Sequence, residues 1–254
     1  MPQILKKHQF LLEELVKRDF KKKYKGAFLG MAWSVLNPLI TLAIMRIVFT
    51  HFFNDIPHYT IYLFCGTVVY TFFSESTSEG MMALMGNAHI FTKVNVPKIL
   101  FIISKNSQTL VNFGMTFIVF LIFCVFDGIS FSPRLFLLAY PIVMLLLFNV
   151  GVGMILSAFF VFFRDMRYLW QVTTQLLMYM SAMFYSIETF SPQIRNLFLL
   201  NPIYLFIRYF RKVVIDGAIP SIAFHGLIAF DVFIVLVLGI IIYKKYDTEF
   251  LYYV

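Results

Sequence analysis

Apolar runs close to 20 residues long recur along this sequence from about residue 35 to residue 243. A run of that length crosses a hydrocarbon core as one helix, and lipid offers no partner to an unpaired backbone group. The expected fold class is therefore an all-α integral membrane protein. Composition agrees, with 60% hydrophobic and 13% charged residues against roughly 45–50% and 25% in a soluble domain. Transmembrane helices are expected at about 34–53, 59–85, 106–126, 135–163, 169–187 and 222–243, six in all. They make one membrane domain over 34–254, preceded by an amphipathic helix and basic linker over 1–33.

Flanking positive charge orients the set. Lys6, Lys7, Lys17, Arg18, Lys21, Lys22, Lys23 and Lys25 precede the first span, and Lys93, Lys98 and Lys105 fall between the second and third. Arg164 and Arg167 follow the fourth, and Lys244 and Lys245 the sixth. By the positive-inside rule these segments share the cytoplasmic side, so both termini are expected there. The outer loop near Asp55 carries no Lys or Arg, and that near Asp127 only Arg134.

The net charge of +8 fits anionic lipid better than nucleic acid, because eight of the 21 Lys and Arg precede the first span. Ile4, Leu5, Leu11, Leu12, Leu15, Val16 and Phe20 recur at helical spacing, with Glu13–Lys17 and Glu14–Arg18 as expected i, i+4 pairs. This helix is expected on the inner membrane surface, and its mixed, charged start does not read as a cleavable signal. Cys65 and Cys124 stand alone in apolar runs, as small hydrophobes.

Residues 188–221 fall outside in this topology, yet contain Leu197–Leu200, Asn201–Pro202 and Ile203–Ile207, flanked by Arg195, Arg208, Arg211 and Lys212. The stretch is too short and interrupted to span. Two short helices entering the outer leaflet and returning are expected, with a surface-lying amphipathic helix as the alternative.

Polar residues inside spans are costly, about 2.5–3.5 kcal/mol for a charge at a helix centre, so each needs a partner or water. Arg46 in the first span either meets an anionic or hydroxyl-rich substrate, snorkels to outer headgroups or pairs with an acid. Glu75 and Glu79 share a face of the second span within Ser74–Glu79; they suit either a proton relay or pairing with Lys or Arg across a helix contact. Asp231 is a third intramembrane acid and a possible counter-ion. Ser34, Asn37 and Thr41 line one face of the first span, and Gln108, Thr109, Asn112 and Thr116 one face of the third. Gln171, Thr174, Gln175, Met178, Ser181, Ala182 and Tyr185 do so on the fifth. Each stripe is either channel wall or helix contact.

No G-x-x-x-x-G-K-[ST] phosphate loop occurs, the five histidines lack metal-ligand spacing, and no G-x-S-x-G or H-E-x-x-H appears. No catalytic, metal or cofactor residue is expected, so any ATP-driven role needs a partner chain. Between the second and third spans, Ile90, Phe91, Val94 and Val96 around Lys93 suit a short helix for a groove on a soluble partner, ended by Pro97.

Five segments carry a resemblance: RDFKKKYKGAFLGMAWSVLNPL (18–39), FFSESTSEG (72–80), IFTKVNVPK (90–98), FFRDMRYLWQ (162–171) and LNPIYLFIRYFRKVVIDG (200–217). Together they resemble the ABC-2 permeases that export bacterial surface polysaccharides such as O antigens, capsules and teichoic acids. The resemblance implies a homodimer of six-span subunits enclosing a channel for a lipid-linked glycan. It also implies two ATPase subunits, binding ATP and Mg²⁺, docked beneath in the bacterial cytoplasmic membrane. The ATPase-coupling segment would be Ile90, Phe91, Lys93, Val94, Pro97 and Lys98; the channel wall would draw on Ser34, Asn37, Thr41, Arg46, Gln171, Gln175, Met178 and Tyr185. Ala182–Ser186 departs from relatives that have a proline before the aromatic, and Ile56–Tyr59 with Phe72–Gly80 leans toward rhamnan-type wall-polymer exporters. The alternatives are an exporter of a small drug or lipid, and a lipid-modifying enzyme built on Glu75, Glu79 and Asp231.

Overall fold

The computed structural model describes residues 8–26, 28–49, 56–188, 190–251 and 253, and among them there are helices and no strand. In chain order the α-helices are α1 (Gln9–Tyr24), α2 (Trp33–Phe49), α3 (Tyr59–Gly86), α4 (Ala88–Phe91), α5 (Ile99–Phe126) and α6 (Ala139–Phe162). They continue with α7 (Met166–Met180), α8 (Pro192–Phe198), α9 (Pro202–Val214) and α10 (Ile222–Tyr246). Ile4, Leu5, Lys6, Lys7, Asp55 and the expected end of the first span at 50–53 lie outside the described residues.

Four helical segments are long and apolar enough to cross a membrane: Gly30–Phe49, Ile99–Phe126, Pro133–Phe162 and Ile222–Tyr246. They account for the expected first, third, fourth and sixth spans. The third begins at Ile99, ahead of the expected 106, because Leu100, Phe101 and Ile102 are themselves packed inside. The second span corresponds to α3, whose 28 residues reach about 42 Å at 1.5 Å per residue. Its Ser, Thr and Glu lower its hydropathy because it is the central helix, packed on α5 and α6 and buried on most sides.

The fifth span is corrected. A continuous helix over 169–187 is expected from sequence, but α7 stops at Met180, about 22 Å long against a hydrocarbon core of about 30 Å. Residues 181–187 run on as an irregular, largely buried segment in which Ala182 takes a left-handed φ of 49°. Their carbonyls find donors on α9. Arg211 donates to Ala182 O (2.8 Å) and Met183 O (2.9 Å), while Asn201 Nδ2 donates to Met180 O at 3.1 Å. The other end of Asn201 caps α9, its Oδ1 accepting from Ile203 N at 3.0 Å with Pro202 at the first helical position. The backbone freed at the helix break is thus satisfied by protein.

Small residues set the closest helix contacts. A Cβ on Gly80 of α3 would lie 3.1 Å from Gly153 Cα of α6, and one on Gly239 of α10 would lie 3.0 Å from Gly151 O. In α6, 56% of the most apolar stretch is buried against 22% in α10, so α6 is interior and α10 peripheral. A large cluster around Phe64, Phe72, Phe120, Phe206 and Tyr209 fills one end, and a second around Leu15, Leu84, Phe91, Phe101 and Phe250 the other.

The amino-terminal helix is more than a surface float. Leu15 and Asp19 of α1 are buried, and α1 packs along α5. The expected Glu13–Lys17 and Glu14–Arg18 pairs are replaced: Lys17 Nζ meets Glu14 Oε1 at 2.9 Å, and Arg18 turns to Asp19 and Asn87. Lys17 thus pairs at i, i+3 on its own helix, while Arg18 gains a partner on another element, which outweighs an exposed i, i+4 pair worth a few tenths of a kcal/mol.

Candidate functional site

The polar groups of α1, α2, α3 and α5 converge on one seam. Glu75 and Glu79 lie one turn apart on α3, and each meets a lysine. Lys23 of α1 pairs with Glu75, which also accepts from Asn112 Nδ2 at 2.7 Å. Tyr24 donates its hydroxyl to Asn112 Oδ1 at 2.7 Å. One turn further along α3, Lys105 of α5 donates to Glu79 Oε2 at 2.9 Å and stands 3.7 Å from Asp19 Oδ2. Asp19 is only 4% exposed. It takes two bonds from Arg18, at 2.7 Å and 3.0 Å, and one from Ser104 at 3.4 Å.

Three cations, Arg18, Lys23 and Lys105, thus face three carboxylates, Asp19, Glu75 and Glu79. A balanced, hydrogen-bonded set is the arrangement that makes charge tolerable where water is scarce. It does not resemble the general acid and base pair of an enzyme, which needs an acid and a base left free to exchange protons. No ion pair or hydrogen bond among the described residues joins Asp231 to either glutamate: it sits on α10, which packs mainly on α6. Among the described residues no salt bridge joins Asp231 to a basic side chain.

Ser34 joins the same seam through a backbone defect. Pro38 inside α2 has no N–H to offer Ser34 O, and that carbonyl accepts instead from Thr116 Oγ1 of α5 at 3.2 Å. Ser34, Glu75, Thr109, Asn112 and Thr116 line a pocket of about 10 Å³, too small for a substrate. In this structure the seam is a helix contact. Deeper along it, Ser76, Asn106 and Thr109 form a buried chain, with Ser76 Oγ on Asn106 Oδ1 and Thr109 Oγ1 on Ser76 Oγ at 3.1 Å.

The remaining stripe residues lie on α2 and α7 with mixed exposure. Asn37 faces outward, and Thr41 satisfies itself by donating to Asn37 O at 2.9 Å. On α7, Gln171 and Gln175 are exposed, Met178 is half-buried, and only Thr174 is buried. That helix is held by Trp170 Nε1 on Thr77 Oγ1 at 3.2 Å and by the Tyr70 hydroxyl on Thr174 O at 2.7 Å. Tyr185 lies beyond its end in the irregular segment, its hydroxyl donating to Tyr179 O at 2.8 Å. Arg46 is exposed on another face of α2, in a groove with Leu39, Leu42 and Thr60.

The segment between α3 and α5 is shorter in helix than expected. α4 is a single turn, Ala88–Phe91, and the chain leaves it before Pro97. Phe91 and Lys98 are buried. The Phe91 ring packs 5.9 Å from Phe101, and Lys98 Nζ donates to Asp247 O at 2.6 Å and Asp247 Oδ1 at 2.7 Å. These contacts anchor the loop to α5 and to the carboxyl-terminal segment. Lys93 and Val94 are exposed at its tip, while Ile90 and Pro97 are half-buried. Asn87, where α3 gives way to α4, accepts from Arg18 at 2.5 Å, so α1 touches the root of this loop.

Sequence reasoning singled out both glutamates and the α5 stripe. It missed Asp19 and Lys105 as their company, because an Asp in a charged helix carries no sign of burial; the signal available was its i, i+4 spacing from Leu15.

The chain is 25% identical over 243 residues to the O-antigen export system permease protein RfbA of Klebsiella pneumoniae, covering 94% of this chain and 93% of that protein. It is 27% identical over 224 residues to RfbA of Myxococcus xanthus, covering 85% of each. The polysialic acid transport protein KpsM of Escherichia coli is 22% identical over 245 residues, covering 94% and 95%. The family model for ABC-2 type transporters matches residues 11–215, a span that takes in α1, the seam, the loop and α9. The chain therefore belongs to the ABC-2 type transporter family: it is a multi-pass membrane permease, a transport subunit that works with an ABC ATPase.

Proposed function

We propose that the chain is the permease of an ATP-driven exporter that moves a lipid-linked surface polysaccharide out across the bacterial cytoplasmic membrane. The observation that carries this is similarity over more than nine-tenths of the chain to permeases named for O-antigen export and polysialic acid transport. In this reading six helices span: α2, α3, α5, α6, α7 with the irregular 181–187, and α10. Residues 1–33 form the cytoplasmic interface and 34–254 the transmembrane domain. The hairpin α8–α9 enters the outer leaflet and returns, and both termini are cytoplasmic.

Two copies pair to enclose the channel, with the exposed Asn37 face of α2 and the Gln171, Gln175, Met178 and Tyr185 side of α7 on its wall. Lipid suits the exposed apolar side chains of α7 but offers no partner to the exposed amides of Gln171 and Gln175, which a second copy would. Two ATPase subunits, which hold ATP and Mg²⁺, dock at the exposed Lys93–Val94 tip. Motion of the loop reaches the spans through Asn87 and Arg18 at its root, and through Phe91 and Lys98 as anchors.

The test is deletion of the gene followed by separate measurement of total and cell-surface glycan. Export predicts intact synthesis with loss of surface display, restored by the wild-type chain. Normal surface display in the deletion strain overturns the reading. In complementation, Lys93→Glu with Val94→Asp is expected to lower ATPase co-purification and surface display together, while Glu75→Gln leaves glycan synthesis intact.

A further inference from the structure

Arg46 does not belong to the polar stripe of its own helix. Ser34 and Thr41 are seven residues apart and so lie within about 20° of each other around α2, whereas Arg46, five residues past Thr41, points about 140° away. On that other side a groove of about 650 Å³ opens between α2, the start of α3 and the end of α5. Leu39, Leu42, Ala43 and Ile47 form its floor and one wall, and Thr60 and Phe123 the other. Among the described residues that line it, Arg46 is the one that carries a charge.

The groove opens to the side, among the apolar surface that α2 turns outward through Ile40, Ile44 and Ile47. It lies toward the outer end of α2, where the aqueous rim carries the His58–Asp127 pair at 2.5 Å. An apolar trough with one cation at its polar end matches an anionic lipid: acyl chain along the trough, phosphate at the guanidinium. Its volume falls within the roughly 300–1,000 Å³ of ordinary ligand clefts. A guanidinium presents five donors in a planar fork suited to phosphate oxygens, so it can hold a phosphate in addition to its interaction within the chain.

We propose that this lateral groove is a binding site for an anionic bilayer phospholipid of the outer leaflet, with the lipid phosphate on Arg46. The leaflet follows from the orientation proposed above; the dependence on Arg46 does not, and the two can fail separately. A bound annular lipid here would brace the outer ends of α2, α3 and α5, away from the seam.

The transporter, with its ATPase partner, is reconstituted in phosphatidylcholine vesicles containing a trace of diazirine-tailed phosphatidylglycerol or diazirine-tailed phosphatidylcholine. After irradiation, adducts are mapped on the peptides carrying Leu39–Ile47 and Phe123. The expected result is several-fold more adduct from phosphatidylglycerol than from phosphatidylcholine. Arg46→Gln should equalise the two, and Arg46→Lys should keep part of the preference. Ala43→Trp, which fills the trough, should reduce labelling of these peptides by both lipids while labelling of the α10 face around Phe233 stays unchanged. Equal labelling by both lipids in the wild type, or a preference that survives Arg46→Gln, overturns the proposal. Displacement of the phosphatidylglycerol probe by an equimolar amount of a polyprenyl phosphate would assign the groove to that carrier lipid and also overturn it; retention supports it.

Discussion

Asp19 is the residue on which the α1 end of the seam turns, because among its described carboxylates it is the one with almost no water to fall back on. Replacing it with Asn keeps the volume and removes the charge, leaving Arg18 without its acid and the seam with three cations against two carboxylates. A hydrogen bond to a charged group contributes about 1.5–3 kcal/mol, so Asp19→Asn should lower the thermal midpoint of the purified permease by a corresponding loss. Arg18→Gln added to Asp19→Asn restores the balance and should recover part of it, which a thermal melt of the three proteins checks. Arg211 presents the opposite case, a buried cation that forms no salt bridge with a carboxylate among the described residues. Its guanidinium stacks 3.3 Å from the Tyr62 ring centre and donates to backbone carbonyls of Tyr62, Ala182 and Met183. Arg211→Lys retains charge but not the planar fork, so it should destabilise almost as much as Arg211→Met, by about 3 kcal/mol. The expected readout is earlier thermal unfolding and new protease cleavage within 181–190; a lysine variant that melts like wild type would show that charge alone suffices.

Among the elements, α3 and α6 depend on having no side chain where they cross. Gly80→Ile places branched carbon against Gly153 Cα, a backbone atom that cannot yield without moving the whole helix. Overpacking of this kind costs about 1–3 kcal/mol, and the variant should run as a broadened peak in size exclusion with a lowered melting point. Gly114→Ala on α5, where nothing lies within 4 Å of the added carbon, should leave both unchanged or improve them. These elements differ in how far the sequence disclosed them. The long apolar helices were legible because lipid enforces one length and one composition, as α10 shows by running Ile222–Tyr246 against an expected 222–243. α7 was not, because its polar stripe continues through Ser181 and Ala182 while its backbone does not. What ends it is tertiary: Arg211 and Asn201, on a helix some 20 to 30 residues away, supply the donors that let the carbonyls at 180–183 leave helical geometry. The loop between α3 and α5 was legible as a patch of apolar residues around Lys93, but not as to which would be spent inward. Phe91 went to Phe101, across the turn into α5, and Lys98 to Asp247, far away in sequence, contacts that no local helical pattern reports.

At the scale of the whole molecule the question is what covers α7. Tyr168, Leu169, Val172, Leu176, Tyr179 and Met180 are all more than half exposed, and the glutamines Gln171 and Gln175 stand out among them. Lipid suits the apolar members and penalises the amides, whereas a second copy related by a two-fold axis would bring amide to amide and satisfy both. A two-fold interface is self-complementary, so a residue near the axis meets its own image. Cys65 and Cys124 are both buried, so replacing them by Ser and Ala clears the background for thiol chemistry. In that background Gln171→Cys or Gln175→Cys should give a covalent dimer on mild oxidation of membranes. Phe233→Cys, on the exposed face of the peripheral α10, should not. Because oxidation reports proximity of like residues, dimer formation at an α7 position together with none at Phe233 locates the axis along α7. Dimer at Phe233 and none on α7 would move the axis to α10, put Asp231 rather than Gln175 at the subunit boundary, and require a channel wall built from a different pair of helices.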